Sequence, residues 1–257
     1  MENDSRQRAF KFIVTACVIS AMYYFVAENI RPAVEVEGGS SEVTGTDARI
    51  IAVAKSTRKA NRSIKAGFDE LTRIDELLSE DVNRVNRDVS AGPVKVSTEL
   101  FEFLQISIDY CKLTKGEFDI TVCDSNGNGC CEKLVLDAEN QTVRFAAEGM
   151  QLDLGGIGKG YAIDKAVEIM KRKGAIGGLV DAGGIIRCFG KPAREDNWLI
   201  ESLPQRPPRT QRDNEVNAVN EGGMVLKLRD MAAASNLSGV TFIAPKAVVA
   251  EVIASAV

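Results

Sequence analysis

The sequence predicts an α+β domain carried behind an N-terminal membrane helix. Three observations predict it. Residues 152–160, LDLGGIGKG, place four glycines and a lysine where an apolar strand gives way to a helical pattern. Elsewhere, stretches with apolar residues at a period near 3.6 are interspersed with short β-type runs. Residues 12–27, FIVTACVISAMYYFVA, form a nearly unbroken apolar run behind Arg6, Arg8 and Lys11.

The apolar run approaches the roughly 17–25 residues of a membrane helix. Ala9, Phe10 and a snorkelling Lys11 bring it into range. The basic flank predicts a cytoplasmic N-terminus and an extracytoplasmic body. A cleaved signal peptide is the rival reading. Val14-Thr15-Ala16-Cys17 also looks like a lipobox, which would lipidate Cys17. Residues 1–28 are therefore expected to be an anchor or signal, 29–43 a polar tether, and 44–257 the folded domain.

Within that domain, Ile64, Phe68, Leu71, Ile74, Leu77 and Leu78 make one helical face. Residues 100–113 make a second helix with Ser97 or Thr98 as its cap, and Cys111 falls on its apolar face. Cys123, Cys130 and Cys131 bracket a polar Asn-Gly stretch, read as a turn between strands. In an exported domain a disulfide from Cys123 is expected. Three thiolates could also bind zinc, but their spacing is not that of a ribbon or finger. Residues 134–136 and 142–145 read as a hairpin around Glu139-Asn140.

The glycine stretch comes next. Glycines reach positive φ and let a backbone approach a ligand. The helix that follows offers unpaired N–H groups and a partial positive charge, a ready site for phosphate. Asp153 stands beside it. Ile163, Ala166, Val167 and Met170 form the helix's apolar stripe, and Lys171, Arg172, Lys173 and Gly174 end it. Residues 179–184 then read as a buried strand ending in a glycine pair, so the unit is strand, glycine turn, helix, strand. Neither a P-loop nor a dinucleotide fingerprint fits, because Gly160 follows Lys159 and Tyr161 takes the third glycine's place. Residues 191–223 hold four of the seven prolines and many charges, and are expected to be an irregular surface loop. The chain stops on a helical pattern without a cap, which is expected of a shortened or cut copy.

Composition narrows the chemistry. There is no histidine, so Ser-His-Asp triads, Cys-His pairs and His-containing zinc sites are excluded. A net charge of −4 gives no footing for nucleic acid as a partner.

The stretch LDLGGIGKGYAIDKA, followed by LVDAGG, resembles the signature of the ApbE family, the FAD:protein FMN transferases. Weaker similarities flank it: Thr44-Gly45-Thr46, IDELLSEDVNRVN at 74–86, residues 94–122 with Phe118-Asp119-Ile120-Thr121, and the strand and helix at 240–257. The resemblance implies an ApbE-like mixed sheet with packed helices. It implies FAD as substrate, Mg2+ as cofactor, and transfer of FMN to a threonine or serine of an acceptor flavoprotein with release of AMP. By the family pattern Asp153, Gly155, Gly156, Gly158, Lys159 and Asp119 contact FAD. The main-chain carbonyl of Gly156 and the side chains of Glu251 and Ser255 hold the metal; the latter two stand at i and i+4 on one helix face. No catalytic residue is assigned. The sequence departs from the family in three places. A His-x-x-Asp-Pro segment is missing near Ser238, the stretch after Thr121 is replaced by the Cys-bracketed loop, and Ile185 follows the glycine pair where many members carry Asp. These departures set a non-catalytic flavin- or nucleotide-binding remnant beside the transferase as the alternative.

Overall fold

A computed structural model describes residues 13–23, 32–39, 41–43, 46–123, 129–155, 157–202, 224–235 and 241–256. Its centre is a seven-stranded sheet in the order β1 (Val34–Glu37), β3 (Thr46–Ala54), β9 (Gly177–Ala182), β10 (Ile185–Phe189), β13 (Ala232–Ser235), β14 (Thr241–Ala244), with β2 (Ser41–Val43) also paired to β3. Side chains alternate between its faces, as the strand period of two requires. Ile50 and Ala52 of β3 and Val180 of β9 face the helices, while Val53 and Leu179 face the other way. That second face is covered by a hairpin, β11 (Trp198–Ser202) with β12 (Met224–Leu228), through Trp198, Ile200 and Leu228.

The helical layer holds α2 (Thr57–Asp88), α4 (Gly158–Arg172) and α5 (Ala247–Ser255), with α3 (Thr98–Leu113) beside them; the helical residues 13–23 are α1. Ser56 caps α2 by accepting from Lys59 N, and Ile64, Gly67, Leu71, Ile74, Leu78, Val82 and Val85 are buried at spacings of three and four. Ser97 caps α3 by accepting from Leu100 N. The expected apolar stripe of α4 is buried, and Gly174 follows its end with φ +102°. Two small sheets complete the fold: β4 (Val94–Lys95), β7 (Thr142–Phe145) and β6 (Leu134–Asp137), and the pair β5 (Thr121–Val122) with β8 (Gln151–Leu152).

The α+β class stands, but several expectations change. Every strand pairing among the described residues is antiparallel, where a mixed sheet was expected. The strand before the glycine turn, β8, belongs to a separate pair, so no crossover joins it to β9. The glycine pair turns rather than extends: Gly183 and Gly184 have φ of +59° and +83° and fold β10 back on β9. Such consecutive positive φ values suit a tight hairpin turn. The expected tether contributes β1, whose Val34 and Val36 are half-buried between exposed glutamates. The expected loop 191–223 contains β11, hidden in sequence by its charged and proline-rich surroundings. Among the described residues, no helix is long and apolar enough to cross a membrane. Residues 13–23 of the expected span are helical and exposed, and its remainder lies outside the described residues.

Candidate functional site

A cavity of about 510 Å³ opens between α2 and the glycine turn. One wall is a polar stripe of α2, formed by Asp75, Ser79, Asn83 and Asn86. The opposite wall runs from Gln151 to Gly155 and continues at Gly158 and Lys159, with Val122 at the side. Of the expected flavin contacts, Asp153, Gly155, Gly158 and Lys159 therefore line one cavity. Gly156 lies outside the described residues.

Local bonding shapes the turn. Asp153 N donates to Ile120 O at 2.7 Å, and Asp153 Oδ1 accepts from Gly155 N at 2.9 Å. Ile157 N and Gly158 N both reach back to Leu154 O, so the backbone coils directly into α4. Asn86 pins the preceding strand by both ends of its amide: Oδ1 accepts from Leu152 N at 2.8 Å and Nδ2 donates to Leu152 O at 3.0 Å. The hairpin turn after β9 closes in from the other side. A Cβ at Gly183 would stand 3.5 Å from Lys159 Cδ, so the aliphatic stem of Lys159 runs past this turn.

Helix α4 begins at Ile157 without a side-chain cap and without an acidic residue in its first turn. The missing carboxylate comes from α5, where Glu251 Oε2 accepts from Gly160 N at 2.6 Å. Glu251 is buried, with 5% of its surface exposed. Burial pushes its carboxyl up to about 7, against the pull of the Gly160 hydrogen bond and the Lys159 charge; nearby Asp164 pushes the same way as burial. In return, Asp164 of α4 accepts from Ala247 N at 2.9 Å and Val248 N at 3.2 Å at the start of α5. Arg187 of β10 pairs with Asp164 in the same buried region. Gly160 sits at this crossing, and a Cβ there would stand 2.7 Å from the Ala247 carbonyl group and Val248 N.

Three expected site residues, Asp119, Glu251 and Ser255, are absent from the cavity's lining. Asp119 Oδ1 accepts from Thr121 N and Thr121 Oγ1, and its Oδ2 accepts from Cys131 N. The short β5 strand turns this carboxylate back on the cysteine segment. Ser255 is exposed and donates to the main-chain carbonyl of Glu251 at 2.9 Å. The cysteines form two disulfides, Cys111–Cys131 and Cys123–Cys130. Cys111, expected to be plain core, is buried and cross-linked. The thiolates considered for zinc are therefore used in covalent bonds.

Glu251 and Ser255 are the expected side-chain ligands of Mg2+. Magnesium takes oxygen ligands, and Glu251 supplies a buried carboxylate whose raised proton affinity marks a charge lacking full compensation. A cation beside it would supply that compensation, so Glu251 fits. Ser255, with its hydroxyl proton directed at the α5 backbone, adds a weaker donor.

Asp164, Asn86 and the α2 stripe were missed by sequence reasoning. Asn86 had a signal, because it ends the family-like segment at 74–86. Asp164 had none beyond its place in the signature stretch.

The antiparallel sheet, the capped helices and the glycine-walled cavity define an α+β protein with a cavity at a helix start. A family model described as the ApbE family matches residues 44–126 and 128–235, and the chain belongs to that family. The FAD:protein FMN transferase of Chlamydia muridarum is 26% identical over 169 residues, covering 56% of this chain and 53% of its own length. That of Haemophilus influenzae is 22% identical over 196 residues, covering 65% and 56%. The chain thus spans about half the length of these relatives. Among solved structures, the flavin transferase ApbE from Vibrio cholerae superposes with a TM-score of 0.69 at 18% identity, over 88% of this chain and 86% of its own. The ApbE protein from Thermotoga maritima gives 0.67 at 21%, over 87% and 85%. At these identities the structures speak for the fold.

Proposed function

We propose that this chain is an FAD:protein FMN transferase that binds FAD in the cavity between α2 and the glycine turn. The observation that carries the reading is the convergence of Asp153, Gly155, Gly158 and Lys159 on that one cavity at the start of α4. In the reaction, a threonine or serine hydroxyl of an acceptor flavoprotein attacks the phosphorus of the FMN half of FAD. The bond from that phosphorus to the bridging oxygen breaks, AMP leaves with the bonding pair, and the hydroxyl proton is released. Little covalent chemistry falls to the protein, which positions the diphosphate and stabilises its charge.

The glycine turn lets the backbone approach the diphosphate, and the start of α4 faces it with positive dipole. Lys159 adds a full positive charge. Glu251, with Ser255 as a weaker donor and Gly156 by the family pattern, would hold Mg2+. When bound, that ion neutralises charge developing on the diphosphate. The polar stripe Asp75, Ser79 and Asn83 offers hydrogen bonds to the polar parts of the flavin nucleotide. An extracytoplasmic location is part of the proposal. It is supported by the two disulfides, which persist in oxidising compartments, and by the basic-flanked apolar run at 12–27.

The test is incubation of the protein with FAD, magnesium and an acceptor flavoprotein, followed by intact-mass analysis. A mass gain equal to one FMN on the acceptor, lost when its threonine is replaced by alanine, is the expected result. FAD binding without any mass gain would favour the non-catalytic remnant.

A further inference from the structure

We propose that the Cys123–Cys130 disulfide is a redox-operated latch on the cavity wall, so that its reduction weakens flavin binding. The inference rests on the reading of the cavity as the flavin site. Strand β5 has only two residues, and β8, its partner, also has two. So short a ladder is weak alone. Yet Val122, Gln151 and Leu152 from this pair line the cavity. What holds β5 in place is the cysteine segment. Thr121 Oγ1 accepts from Cys130 N at 2.8 Å and donates to Asp119 Oδ1 at 2.7 Å, and Asp119 Oδ2 accepts from Cys131 N at 2.9 Å. The residue after Val122 is Cys123, whose disulfide ties the end of β5 covalently to Cys130.

The two disulfides differ in access. Cys111, Cys130 and Cys131 are buried, whereas Cys123 is half-buried. A thiolate reductant therefore reaches Cys123 Sγ first. The inner pair is further shielded by Asp119, whose carboxylate lies within 4.8 Å of both Cys111 and Cys131 sulfurs. Its negative charge opposes an approaching thiolate, on which exchange depends. Mild reduction thus opens the outer bond and spares the inner one.

The step balances with a dithiol as reductant. One of its thiolates attacks Cys123 Sγ, the Cys123–Cys130 bond breaks, and Cys130 leaves as a thiolate and takes a proton. The second thiol of the reductant displaces Cys123, which is protonated in turn. Two electrons and two protons pass to the protein, and the dithiol becomes a cyclic disulfide. The end of β5 then loses its covalent tie and is held by the two-residue ladder and the Thr121 and Asp119 hydrogen bonds, and the wall of the cavity loosens.

The test uses the full chain in three states: oxidised, mildly reduced with a dithiol, and reoxidised. Alkylation with mass analysis counts the opened cysteines, amide hydrogen exchange follows residues 121–122 and 151–152, and flavin fluorescence reports FAD affinity. Opening of Cys123 and Cys130 alone should speed exchange at these residues and weaken FAD binding about tenfold, with reoxidation restoring both. Cys123→Ser should reproduce the reduced state. Free Cys123 and Cys130 thiols in the oxidised protein would overturn the proposal. So would unchanged exchange and unchanged FAD affinity after the outer bond opens. If FAD binds in neither state, the flavin reading itself fails. The exchange measurement then still decides whether the disulfide holds the wall, and unchanged exchange would sink the latch independently.

Discussion

Asp164 and Glu251 cap each other's helices. Asp164, on α4, accepts from Ala247 N and Val248 N at the start of α5, and Glu251, on α5, accepts from Gly160 N at the start of α4. Neither helix has a side-chain cap of its own at Ile157 or Lys246. Each buried carboxylate meets the positive end of the other's dipole. Partners more than eighty residues apart in sequence are thereby made into one unit.

Replacing Asp164 with alanine removes both α5 cap bonds and strands the buried Arg187 guanidinium. Breaking a buried pair in this way costs about 3–5 kcal/mol. Urea unfolding of Asp164→Ala should show a loss of that order, with Asp164→Asn losing less because it keeps an acceptor. A change within about 0.5 kcal/mol, the scale of ordinary surface substitutions, would mean the cap carries no weight.

Stability should also depend on pH through Glu251. Its folded pKa, about 7, lies above its ordinary value of 4.5. The folded state therefore binds the proton more tightly than the unfolded state. The resulting stability is fully present below about pH 4.5 and lost as pH rises to about 7, a difference of about 3 kcal/mol. Glu251→Gln should flatten this part of the profile in chemical denaturation. An equal slope in parent and variant would assign the pH dependence to other groups.

Flavin titrations separate the charged groups of the site. Lys159→Ala should weaken FAD binding about ten- to a hundredfold with little effect on the melting temperature, since a charge-assisted contact contributes roughly 1.5–3 kcal/mol. Glu251→Gln should abolish any strengthening of FAD binding by magnesium, and Ser255→Ala should reduce it less. Magnesium-independent binding in the parent would remove the metal role from Glu251.

Gly160→Ala tests the helix crossing by sign. In an open helix interior this change stabilises by about 1 kcal/mol. Here the added methyl meets the backbone of Ala247 and Val248 at 2.7 Å, so it should destabilise by about 1–3 kcal/mol, as overpacking does. Calorimetry showing a raised melting temperature would contradict the close approach.

Much of the fold was legible because periodicity and caps are local. The face Ile64–Leu71–Ile74–Leu78, the Ser97 cap and the basic end of α4 each declare themselves within a few residues. Strands β1 and β11 were not legible, because four or five residues of alternation between prolines and charges resemble a loop until a partner strand is known. At the site, the glycines and Lys159 announced themselves by type. Asp119 was named by the family pattern alone, and its bonds to Thr121 and Cys131 N depend on the return of the cysteine segment, which local sequence does not show. Glu251 could equally be read from sequence as a solvated surface charge. Its burial depends on α4 lying over it, which no local pattern encodes.

The amide of Asn86 has a consequence beyond positioning. By giving Leu152 one donor and one acceptor at once, it imitates a neighbouring strand on the side of β8 that β5 leaves open. An open edge invites pairing with other chains. One side chain from a helix closes it, so the rim of a ligand cavity, which must stay accessible to small molecules, is made unattractive to foreign strands and the aggregation they seed.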